Sequence, residues 1–350
     1  MLYETNILPM KNTLLFLALI LNSCTNSQNN KPFRENIETD SSNIEITRNS
    51  VYRVYEETFK YKDSIWWNVT FINDTTILNT EGWKNKKGKH FGIWKEYDIN
   101  KNLLYTRNYD KQTCIVNKKF FPYHDILEKM KITADNLIIK EYGKEFFKAH
   151  VFFEFDATAR YAYKTKIGED SMWTEDYVGT WIEPMSKKPN SFLFRYEVKL
   201  NRNDEEFVEL GICLDSTGKY FSSSDDNYSN YGFEKTSIKY KSFNIQKTQA
   251  LKIAKENGLT IDSTKVFDFL NWENYRKQQY YNGAFIYNIV ELIKEENYIA
   301  GKGRQGKIFR YLVYKFNPWN GKFLEIVKMK STQEWEKESG SSSGFRPDND

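Results

Sequence analysis

From residue 51 to residue 327 the chain reads as short aromatic-rich runs separated by clusters of Asn, Asp and Gly. That punctuation restricts it to antiparallel strands joined by hairpins, with helices in two places. The clearest pair lies at 192–200 and 207–214, where apolar and polar residues alternate around Asn201-Arg202-Asn203-Asp204, a turn signal. A second hairpin is expected between 309–316 and 323–327, across Asn317-Pro318-Trp319-Asn320-Gly321. Its closing Asn-Gly calls for a positive φ at Gly321. The first helix is expected over 123–147, where Ile126, Leu127, Met130, Leu137, Ile138 and Tyr142 share one face and Asp135-Asn136 is expected to interrupt it. The second is expected over 247–257, with Ala250, Leu251 and Ala254 inward and Gly258 as its stop. The fold class these elements predict is α+β.

The N-terminus reads as an address. Lys11 is followed by an apolar run from Leu14 to Leu21, far short of the roughly 20 residues that span a bilayer but suited to a signal peptide. Met10 fits the start of such a signal. The run ends in Leu21-Asn22-Ser23-Cys24, which resembles a bacterial lipobox of the looser Bacteroidetes type, departing from it at Asn22. The resemblance implies that residues 1–23 are removed and that Cys24 carries the acyl chains, enough of them for stable anchoring. The polar stretch 24–50 then suits a flexible tether. Neither an Asp nor an acidic run follows Cys24, so the expected place is the periplasmic face of the outer membrane.

Two further resemblances organise the remainder. Gly88, Gly92, Trp94, Tyr97 and Asp98 stand in the spacing of a bacterial MORN-type repeat, in which glycines permit tight hairpins and Trp and Tyr pack on the next one. One copy is present, so a β-rich MORN-like unit is expected over 51–112. The helix at 247–257, the strands after it and the turn from Asn317 to Gly321 resemble a PepSY-like domain over 241–332, a helix on an antiparallel sheet. Residues 113–240 are expected to form another α+β unit, with a degenerate second PepSY-like copy as the alternative reading. The Glu/Lys and Ser/Gly-rich end, 333–350, is expected to be disordered.

Chemistry is sparse. With 51 Lys+Arg against 47 Asp+Glu the chain is nearly neutral, which gives no support for a nucleic-acid partner. His90, His124 and His150 share no metal-ligand spacing and adjoin no cysteine, so they read as surface or packing residues. Gly301 to Lys307 lacks the ending of a phosphate loop and reads as a basic hairpin loop. The acidic pairs lack calcium-loop spacing. No catalytic residue, metal or cofactor is therefore expected. In an oxidising compartment Cys114 and Cys213 either pair or remain buried thiols. The wealth of Tyr and Phe accompanies Asn, Lys and Ile, all with A/T-rich codons, and is not by itself a sign of a stacking surface.

These readings converge on a non-catalytic envelope lipoprotein with an envelope protein or peptide as partner. PepSY-like domains are associated with restraining peptidases, and that analogy is the only source of the protein-binding role. A glycan- or cell-wall-binding lipoprotein using exposed aromatics, and a hydrolase with an unrecognised site, are the alternatives. Docking is expected at a free sheet face or edge of the C-terminal sheet; Trp319, at the tip of its last hairpin, is the residue to carry the contact if that contact is aromatic, and the competing reading folds Trp319 back onto its own sheet.

Overall fold

The computed structural model describes residues 33–71, 74–167, 170–221, 233–234, 242–260, 265–274, 283–299, 301–336 and 339–348. The chain divides into two compact units that meet in sequence at Phe120–Phe121.

The first unit is one antiparallel meander. Its strands are β1 (Phe33–Glu38), β2 (Ser42–Arg48), β3 (Tyr52–Phe59), β4 (Ile65–Phe71), β5 (Asp74–Lys84), β6 (His90–Tyr97), β7 (Leu103–Asn108) and β8 (Thr113–Val116), hydrogen-bonded in that order. Cross-strand aromatic pairs tie the middle strands together. Trp66 lies opposite Trp83, and Trp83 opposite Phe91, with ring centroids 4.9 and 6.3 Å apart. On the other face Trp67 and Trp94 stand 5.4 Å apart, and the Lys84 ammonium sits 4.0 Å from the Trp67 centroid. Trp94 is buried because it lies flat over Gly82, where a β-carbon would fall inside its ring. Its Nε1–H donates to the Trp83 carbonyl at 3.0 Å. Tyr97 donates to Glu81 at 3.2 Å, and Asp98 accepts the N–H groups of Asn100 and Asn102 to close the β6–β7 turn.

The second unit opens with α1 (His124–Tyr142) and α2 (Lys144–His150). His124, Leu127, Met130, Ala134, Ile138 and Tyr142 make one buried stripe along α1. The helix runs through Asp135-Asn136 without the expected break, because Asp135 is engaged on both sides: it accepts from Lys131 at 2.6 Å and from the Tyr196 hydroxyl at 2.8 Å. The break comes at Gly143, whose φ is 96°. Strands β9 (Val151–Ile167), β10 (Asp170–Thr180), β11 (Ser191–Val198) and β12 (Val208–Asp215) follow, arranged β10-β9-β11-β12. Next come α3 (Lys247–Glu256), β13 (Val266–Asn274), β14 (Gly283–Ile299), β15 (Gln305–Phe316), β16 (Phe323–Glu336), β17 (Ser339–Ser342) and β18 (Arg346–Pro347). They build a second antiparallel sheet in the order β13-β14-β15-β16-β17, with β18 also on β16. Ala250 and Ala254 of α3 rest on Tyr287, Ile289, Tyr314 and Phe316.

Four expectations are corrected. The fold is β-dominated, not α+β with helix-on-sheet PepSY-like units: among the described residues 55% lie in strands against 15% in helices. The reason is length. Strands β14 and β15 run 17 and 12 residues, so the 10-residue α3 covers only one end of their sheet. The 24–50 segment is not all tether, since 33–38 and 42–48 are the first strands of the meander, paired onto β3. The 333–350 tail is not free either. Phe345 packs 4.9 Å from the Tyr311 ring centroid, and Asp348 forms ion pairs with Arg310 and Lys330. The expected boundary at 112 moves as well, because β8 at 113–116 completes the first sheet.

Candidate functional site

The residues singled out in the sequence do not come together. Cys24 lies outside the described residues. Cys114 is half-buried in β8 and Cys213 buried in β12, and the two are not joined in a disulfide. Trp319 is not an exposed hairpin tip: it is 3% accessible. The hairpin itself forms as expected, with Gly321 at φ 70° and its N–H bonded to the Asn317 carbonyl at 2.9 Å. The indole folds inward instead, to ring-centroid distances of 4.5 Å from Phe243 and 5.0 Å from Phe146.

What draws it in is a buried carboxylate. Glu234 accepts from the Phe285 backbone N–H at 2.7 Å and from Trp319 Nε1 at 3.0 and 3.2 Å. Its own N–H donates to the Tyr142 hydroxyl. Burial pushes the Glu234 carboxyl up to about 7 against the pull of those donors, with Glu141 adding a repulsive charge. The aromatic knot of Tyr142, Phe146, Phe243, Phe285 and Trp319 thus has one polar centre.

Beside this knot His150 braces three elements. The Lys199 carbonyl, 2.9 Å from Nδ1, can only accept, so Nδ1 carries the proton and Nε2 is the acceptor. Nε2 then receives the Phe243 N–H at 3.0 Å and faces the Ser242 hydroxyl at 2.7 Å. Burial lowers the ring's proton affinity and favours this neutral form. A serine beside a histidine invites a nucleophilic reading. Here a main-chain N–H already occupies the lone pair a general base would need, so the ring acts as a clamp.

His150, Ser242 and Phe243 of this clamp also line a cleft of about 510 Å³. One side is the 200–206 turn, which brings Asp204, Glu205 and Glu206. The other is β13, which contributes three consecutive residues, Asp268, Phe269 and Leu270. Successive side chains of a strand point to opposite faces, so consecutive lining residues mean that the edge of β13 borders the cleft. β13 is the terminal strand of its sheet; among the described residues β12 approaches part of it, but no further strand pairs with it. Asp268 is fixed by the Tyr287 hydroxyl at 2.7 Å and by Lys247. Burial, reinforced by Asp268, holds that phenol well above its ordinary pKa. A smaller depression of about 270 Å³ lies by the same strand, sharing Lys247 and Asp268 and adding Leu251, Lys255, Leu259, Thr260 and Val266. None of this was readable beforehand: the lining comes from 150, 200–206, 242–248, 268–270 and 287, segments joined only by tertiary packing.

Among the described residues no group of three His, Cys, Asp or Glu side chains is placed to hold a metal ion, and no helix is long and apolar enough to cross a membrane. Comparison of the chain with protein-family models, with curated proteins and with solved structures finds no match.

Proposed function

We propose that this chain is a non-catalytic lipoprotein, held at Cys24 on the periplasmic side of the outer membrane, whose second unit binds a protein or peptide of the envelope. The observation that carries the binding role is the edge of β13 opening into the cleft. A strand edge presents N–H and C=O groups that another extended chain can satisfy, and neighbouring pockets for side chains add selectivity. The anchor rests on the sequence around Cys24. Two experiments test the reading. Cys24→Ser should shift the protein from the membrane to the soluble fraction; sedimentation with membranes after a carbonate wash would remove the anchor from the proposal. A photo-crosslinking residue at Glu206, on the cleft rim, should trap a discrete partner in cells that the same residue at Lys119 does not. Equal trapping from both sites would count against the cleft.

A glycan-binding reading is favoured by one observation, the half-buried run of Phe59, Trp66, Trp83 and Phe91 across four strands of the first sheet. Binding of cell-wall glycan that is lost in Trp66→Ala and kept in cleft variants would decide for it.

A further inference from the structure

We infer that the occupant of the β13 groove is an extended basic segment that adds to the sheet as a further strand, with a lysine or arginine and an aliphatic residue two or four positions apart. The inference rests on the peptide-binding reading and specifies its ligand. Charge gives the first half. Four carboxylates, Asp204, Glu205, Glu206 and Asp268, line the main cleft; Lys247 is paired to Asp268 and Lys255 lines the smaller depression, so the unbalanced negative charge lies on the 204–206 turn. A strand bearing a cation there gains attraction from the 204–206 turn, whereas an acidic strand meets like charge from it. Glu205 and Glu206 are exposed, so they act through steering and selectivity more than through buried contacts.

Register gives the second half. Val266, Asp268 and Leu270 project to one face of β13, opposite Glu291, Ile289 and Tyr287 on β14. The acidic end of the groove lies at Asp268–Leu270, and the apolar end, with Leu251 and Leu259, lies at Val266. An added strand has the same alternation, so its side chains that enter the two ends must be separated by an even number of positions. Val266 and Leu270 are four residues apart on β13, roughly 13 Å of strand.

The test uses the purified full-length protein in detergent and fluorescent nine-residue peptides built on a Thr/Val background. The parent carries one lysine and one leucine four positions apart. The expected result is saturable binding that weakens at least tenfold when the lysine is changed to glutamate, and at least tenfold when one residue inserted between lysine and leucine makes their separation odd. The Glu205→Lys/Glu206→Lys protein, altered only at exposed positions, should reverse the charge preference while keeping its melting temperature. Equal affinity for the lysine and glutamate peptides, or an unchanged preference in that variant, would overturn the basic class and leave the cleft as a peptide site. Equal affinity for the odd-spaced peptide would overturn strand addition in this register. No binding of any peptide would overturn the peptide-binding reading together with this inference. Sedimentation of the free protein as a dimer that Glu205→Lys/Glu206→Lys abolishes would identify a second copy of the chain as the occupant and overturn the proposed partner.

Discussion

The Trp319 indole donates its N–H to the Glu234 carboxylate, 3.0 Å from one oxygen and 3.2 Å from the other, across 85 residues of chain. The contact turns a hairpin tip into core. Trp319→Ala should destabilise the second unit by about 3–5 kcal/mol, the usual cost of removing a buried large aromatic. Denaturant unfolding followed by tryptophan fluorescence and circular dichroism measures it. A change below about 1 kcal/mol would place the indole outside the core.

Glu234 makes stability depend on pH in a direction opposite to that of a salt-bridged carboxylate. Its folded pKa, about 7, lies above the ordinary 4.5, so the folded state holds the proton more tightly. Its contribution is full below about pH 4.5 and is lost as pH rises through 7, at most about 3 kcal/mol over that window. Glu141 is the charged neighbour that adds to the rise, and Tyr142, Phe285 and Trp319 supply the polar contacts. The melting-temperature difference between wild type and Glu234→Gln should therefore change between pH 4.5 and 7.5. A constant difference would show that Glu234 does not titrate there.

Gly82→Ala should force the Trp94 ring off β5 and cost about 1–3 kcal/mol, as overpacking of a filled site does. Loss of the Trp94 bond to the Trp83 carbonyl adds to that. Thermal unfolding of the variant, with near-ultraviolet circular dichroism to follow the Trp environment, provides the measurement.

Gly321→Val should cost at least about 1 kcal/mol, through backbone strain alone. The φ of 70° suits a β-branched residue poorly, and no atom lies within 4 Å of the position a β-carbon would take. Gly321→Asn, which tolerates the left-handed region better, should recover part of the loss. Equal melting temperatures for glycine, asparagine and valine would refute the strain.

Local grammar was legible in the sequence; partnership was not. The hairpin around 201–204, the turn ending at Gly321 and the glycine stop at Gly258 all follow from residues within a few positions of the feature. The strands at 33–48 were hidden because their composition is polar: β2 is held by pairing with β3 and β1 by pairing with β2, with only Ser42 and Ile46 buried. The tail was hidden for the same reason, since the side chains that hold Phe345 and Asp348 lie on β15, β16 and β13. Trp319 stood between contact and core in the sequence because a turn tip allows either, and its buried acceptor, Glu234, lies 85 residues away. The cleft needed five separated segments and could not be assembled from any of them.

In the first unit every strand bonds only to its predecessor and its successor. Such a sheet has no distant pairing to wait for, so the entropy of closing long loops barely enters its folding barrier. Growth can proceed strand by strand from a nucleus in the Trp-rich middle, as in linear repeat arrays. Its outermost strand, β1, is then the part that opens at least cost, and β1 is also the part of the sheet nearest in sequence to Cys24. A pull on the N-terminus would peel the meander from that edge, strand by strand.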